Sequence, residues 1–124
     1  MATNRTEQYG LHLWEPGDDF LREEFNENFA ALDAAARVVT GVYTGDGAAS
    51  QSIELGGRAK AIIVTNEAGM VNLNYTLYGG VAFPGYATAV VTVTATGFAV
   101  YGDSTNSAVR GNILGAAYHY IALF

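Results

Sequence analysis

Hydrophobic positions follow two different periods along this chain, and the change falls at Arg37. In residues 1–17, apolar side chains at Tyr9, Leu11, Leu13 and Trp14 precede the turn pair Pro16-Gly17, which predicts an extended segment that packs on something. From Asp18 the spacing becomes helical. Phe25, Phe29, Leu32 and Ala36 recur at steps of 4, 3 and 4 and share one stripe. Asp18 and Asp19 stand where carboxylates cap free N–H groups and meet the positive end of the helix dipole. Glu23, Glu24, Glu27 and Asp33 lie mostly off the stripe, so the segment reads as an amphipathic helix with a solvated acidic face. Its length is roughly 18 residues, about 27 Å. The stripe either packs on the chain's own β region or bundles with the helices of other copies, and two heptads are too few to specify a coiled coil alone.

After Arg37 the period is two and turn residues come at short intervals. Residues 38–45 and 50–55, separated by Asp46-Gly47, read as a hairpin, and 59–66 as a strand rich in β-branched side chains. Residues 70–78 read as a further strand, 79–86 as a loop, and 88–102 as two strands around Thr96-Gly97. A polar loop (103–107) leads to a final strand within 113–124. Both faces of that last strand are apolar or aromatic, so it is either central in the fold or covered by a neighbouring subunit. The expected class is mainly β: an N-terminal α-helical segment (1–37), then an antiparallel, jelly-roll-like β-sandwich (38–124).

Composition adds an assembly argument. Half of the 124 residues are hydrophobic and only 15% are charged, which is little polar material with which to cover a monomer's surface. A homo-oligomer follows as the expectation, with Phe25, Phe29, Leu32, Ala36, Tyr118, Tyr120 and Phe124 at its interface. A net charge of −6 with six scattered basic residues excludes a phosphate-reading nucleic-acid protein. Met1–Arg5 is polar and runs into no apolar stretch, so no secretory signal is expected, and no segment approaches the ~18 apolar residues of a membrane helix.

Chemistry-bearing residues are sparse. The sequence has no cysteine, and its two histidines, His12 and His119, lie in different contexts. Asp46, Glu54, Glu67 and Asp103 are the acids after Asp33, and their spacing fits no Ca²⁺ loop. No nucleophile elbow or phosphate loop is present, so neither catalysis nor a cofactor or metal is expected. Sugar-binding surfaces combine exposed aromatics with amides and carboxylates. The loop residues of that kind are Asn66, Glu67, Asn72, Tyr78, Phe83, Tyr86, Asp103 and Asn106, although amides here also serve as turn formers.

The stretch YGLHLWEPGDDFLREEFNENFAALDAA (9–35) resembles the helix-bearing N-terminal segment of tail proteins from phages of Gram-positive bacteria. VYTGDGAASQSIELG (42–56), AKAIIVTN (59–66), TGFAVY (96–101) and YHYIALF (118–124) resemble the β domain that follows it. The resemblance implies a homotrimeric tail-fibre module located in the virion, contacting other tail proteins and host-surface carbohydrate, and it carries over no catalytic residue. The alternative is a purely structural virion component, a decoration or minor tail protein that binds no receptor.

Overall fold

A computed structural model describes residues 1–103 and 105–124, and the chain divides into one unit of Met1–Ala36 and another of Arg37–Phe124. The fold is mainly β, with every paired strand antiparallel, and among the described residues there is a single α-helix. Among the described residues, no helix is long and apolar enough to cross a membrane.

In the first unit, β1 (Asn4–Arg5) pairs with β2 (His12–Leu13) around a turn in which Gly10 takes φ +65°, a conformation that favours glycine. The helix α1 runs only from Arg22 to Asp33, shorter than expected at both ends. Leu21 occupies the N-cap in extended backbone and makes no side-chain cap bond. Asp18 does not cap either. Its carboxylate accepts the Glu15 N–H (2.8 Å), the Thr3 N–H (2.9 Å) and the Thr3 hydroxyl (2.6 Å), tying the start of the chain to the turn before the helix.

The helix meets β2 with its polar side. Glu24 is buried, accepts the Ala2 N–H (2.8 Å) and lies 3.8 Å from His12 Nδ1, while Glu27 lies 2.5 Å from His12 Nε2. Asn28 clamps the His12 backbone, accepting its N–H (2.6 Å) and donating to its carbonyl (3.1 Å). Glu24 is therefore withdrawn from the solvated acidic face to face His12, whereas Glu27 bonds His12 from a side chain that stays exposed, as Glu23 and Asp33 do. A two-residue strand offers too little apolar surface to hold a helix, and its unpaired polar groups draw the helix's polar side instead. The stripe of Phe25, Phe29, Leu32 and Ala36 is left exposed.

The second unit contains β3 (Val38–Thr44), β4 (Ser50–Glu54), β5 (Ala61–Asn66), β6 (Asn72–Leu73), β7 (Thr76–Leu77), β8 (Gly80–Ala82), β9 (Val91–Val93), β10 (Gly97–Tyr101) and β11 (Ala117–Leu123). They form a four-stranded sheet, β3-β11-β5-β8, a three-stranded sheet, β4-β10-β9, and the pair β6-β7. The expected hairpin of 38–45 with 50–55 does not form. β3 pairs with β11 (Val38↔Leu123 to Thr44↔Ala117) and β4 with β10 (Ser50↔Tyr101 to Glu54↔Gly97). Long-range partners with apolar side chains win over the local turn, and the Asp46–Ala48 segment binds Asn112 instead. The strand expected over 70–78 is split by Asn74 (φ +49°) and Tyr75 (φ +66°), which make the two-residue turn between β6 and β7. The loop expected over 79–86 contains β8.

Side chains of both larger sheets meet in one buried cluster that includes Tyr43, Ile62, Val64, Val91, Phe98, Val100, Tyr118 and Ala122. The Tyr43 and Tyr118 rings stack 4.9 Å apart, and Phe98 lies 6.0 Å from Tyr43 and 5.0 Å from Tyr120. Tyr120 lies over Gly41 on the facing strand, where any β-carbon would collide with its ring. Phe124 packs on the same cluster with the Arg37 guanidinium 4.4 Å above its ring. Tyr118 thus belongs to the chain's own core, because the alternation of β11 turns its even-numbered side chains inward, while Tyr120 and Phe124 pack against that core and stay partly exposed.

Two outcomes follow. The hydrogen bond from His12 holds the Glu27 carboxyl below its ordinary value of 4.5, and the bond from the Glu15 N–H, followed by that from the Thr3 hydroxyl, holds Asp18 below 3.8. A depressed folded-state value stabilises above the unfolded value and is lost as pH falls through the folded one. The Met1–Ala36 unit should therefore loosen below about pH 4.5, followed by the emission of Trp14, the sole tryptophan, and Glu27→Gln should remove part of that acid dependence. Deleting 120–124 should leave the β unit unfolded, since the loss of core contacts and two-sided strand pairing is comparable with the ~5–15 kcal/mol stability of a small domain; circular dichroism checks this.

Candidate functional site

Two buried phenols position the loop that precedes β11. The Tyr43 hydroxyl donates to the Gly111 carbonyl (2.7 Å). The Tyr118 hydroxyl donates to the Arg110 carbonyl (2.6 Å) and accepts the Ile113 N–H (3.1 Å). Burial pushes both phenols up, so each stays protonated and keeps donating. Asn112, also buried, accepts the Asp46 N–H (3.1 Å) and donates to Asp46 Oδ1 (2.6 Å) and the Ala48 carbonyl (3.1 Å). Segments 46–48 and 110–113 are consequently one hydrogen-bonded assembly.

Above it opens a depression of about 630 Å³ lined in part by Ala48, Ala49, Tyr101, Asp103, Arg110 and Asn112. A carboxylate, a guanidinium and a phenol around one hollow supply both donors and acceptors, the mixture that a polyhydroxylated ligand needs. Asp103 is also a turn former. Its Oδ1 accepts the Thr105 hydroxyl (2.7 Å), the Thr105 N–H (2.8 Å) and the Asn106 N–H (3.2 Å), and the first of these does most to hold the carboxyl below its ordinary value. Asn106 likewise accepts the Ala108 N–H (3.0 Å).

The sequence candidates do not converge on one place. Asn66, Glu67 and Tyr78 come together beside Tyr118 in a smaller depression of about 200 Å³, where Asn66 also accepts the Met70 N–H (2.9 Å). Asp103 lines the larger depression and Asn106 braces the turn next to it. Phe83 and Tyr86 flank Pro84-Gly85, exchanging two backbone hydrogen bonds of 2.9 Å, and Tyr86 is 78% exposed. Asn72 is exposed on β6 and lines neither depression. Tyr75, at the tip of the β6–β7 turn, is 93% exposed and escaped sequence reasoning, because in the alternating run Leu73-Asn74-Tyr75-Thr76-Leu77 it reads as one more inward strand position. Among the described residues, no group of three His, Cys, Asp or Glu could hold a metal ion.

Each unit also carries an apolar surface. On the first unit Phe20 stacks on Trp14 (4.8 Å), Trp14 lies 6.4 Å from Phe25, and Phe25 meets Phe29 edge-on (5.0 Å), an aromatic run continued by Leu32. On the second, Val38, Val42, Val81, Ile121 and Leu123 are all exposed on the outward face of the four-stranded sheet. Trp14 and Phe20 were missed as part of the stripe because they precede the helical period. The sheet residues were missed because only the register shows which strands lie side by side.

No family model, curated protein or solved structure matches the chain.

Removing the Tyr118 hydroxyl should unlatch the loop without emptying the core. Tyr118→Phe leaves the Arg110 carbonyl and the Ile113 N–H unpaired, a cost of about 1–3 kcal/mol. Thermal melting should register that loss, and amide exchange at 110–113 should rise while β5 and β10 stay protected.

Proposed function

We propose that the chain is a non-enzymatic, oligomeric structural protein of a virion, a tail-fibre-like module that attaches to carbohydrate on the host cell surface. In this reading it associates with copies of itself, as a trimer, and with neighbouring tail proteins, and the two larger sheets close as a jelly-roll-like sandwich. The observation that carries it is the amount of apolar surface a single chain leaves uncovered on both of its units, from Phe20 (73% exposed) and Phe29 (58%) to Val38 (63%) and Val42 (58%). Surfaces of that kind are covered in assemblies. The exposed aromatics Tyr75, Phe83 and Tyr86, with the donor and acceptor set around the larger depression, support carbohydrate as the ligand. The involvement of Asp103 and Asn106 in turns favours the second reading, a structural virion component without receptor binding.

Light scattering on the purified chain should give a multiple of 13.1 kDa, and a monomer at micromolar concentration would refute the assembly reading. Cell walls of Gram-positive bacteria should retain the oligomer, and Tyr86→Ala should weaken retention about tenfold, ~1.4 kcal/mol, with fold and mass unchanged. An oligomer that ignores the walls would identify the purely structural component. Asn106→Ala is a less clean probe, since it also frees the Ala108 N–H.

A further inference from the structure

We propose that the outward face of the four-stranded sheet is the seat of a second copy of this chain, an inference that rests on the oligomeric reading above. The register sets its composition. One row crosses all four strands as Val81, Ile63, Ile121 and Thr40, with Leu123 and Val38 on one side and Thr65, His119 and Val42 on the other. None of β3, β5, β8 or β11 contributes an Asp, Glu, Lys or Arg. Strands at ~4.8 Å spacing and ~3.4 Å per residue give this face roughly 400 Å². A standard interface takes about 800 Å² from each partner, with an apolar centre inside a polar rim. The face therefore has the size and composition of an interface centre.

Two further observations select a copy of the same chain as the occupant. The first is charge. The Met1–Ala36 unit carries eight carboxylates against Arg5 and Arg22, a net −6, so packing its aromatic stripe on another copy works against repulsion. The Arg37–Phe124 unit balances Asp46, Glu54, Glu67 and Asp103 against Arg37, Arg58, Lys60 and Arg110, a net zero. Its uncharged sheet face neither repels its own copy nor offers anything to a charged partner. The second is the edge. β3, which carries Val38 and Val42, pairs with β11 alone among the described residues, yet it is seven residues long and has no proline or charge. Proteins that remain monomeric guard such edges with those residues.

The test uses the full chain with Val42→Glu and Ile121→Glu combined, two exposed positions whose side chains point away from the core. Sedimentation should show self-association weakened at least a hundredfold, leaving a 13.1 kDa species with unchanged circular dichroism. A double variant that keeps the wild-type mass overturns the inference and leaves the oligomeric reading standing, with the face assigned to a different partner. A monomeric wild type takes both down. Should the double variant fail to fold, Val42→Lys and Val42→Glu decide separately: each alone should lose mass and a mixture of the two should regain it, whereas singles of wild-type mass overturn the inference.

Discussion

Strand β11 has to hydrogen-bond along both of its edges, and the rest of the β unit is arranged to let it. It runs between β3 and β5, so that each residue from Tyr118 to Leu123 has a partner on either side. Its inward side chains then reach the partners that join the two larger sheets: Tyr118 stacks on Tyr43, and Tyr120 lies against Phe98. The same placement carries the Tyr118 hydroxyl to the loop at 110–113 and so shapes the larger depression. Scaffold and candidate site thus share one side chain.

Sparse charge explains why the β unit keeps apolar surface in view. With 15% charged residues, most of them in the first unit, the β unit has few polar side chains with which to screen the outside of its larger sheet. The first unit has the opposite problem, an excess of carboxylates. It resolves this by turning Glu24 and Glu27 onto His12 and Asp18 onto Thr3 and Glu15, which leaves the aromatic stripe on the side that faces away.

Local periodicity made much of the fold legible, and long-range competition explains what it missed. The strand at 59–66, a turn just ahead of Gly97 and the helical stripe are visible because each is specified by residues within a few positions. The pairing of β3 with β11 spans most of the unit, and nothing near Asp46-Gly47 distinguishes it from a hairpin. Tyr118 and Tyr120 were assigned to an interface because a strand apolar on both faces does not say which face is the core. The loop candidates were legible as loop residues. Their separation into two depressions and a turn was not, since it depends on where Asn112 and the two phenols anchor the chain.

The central position of β11 also fixes the order in which the fold can be acquired. β3 is the first strand of its unit and β11 the last, and within the four-stranded sheet β5 and β8 alone pair without it. A nascent chain that has not reached residue 117 holds β3 unpaired, with Val38, Val39 and Val42 in water, and the buried cluster lacks Tyr118 and Ala122. Closing that gap joins residues far apart in sequence, which makes folding slow compared with a helical protein of the same size. During that interval the β3 edge is open to other chains, so synthesis at high local concentration favours the meeting of copies before each one has finished folding.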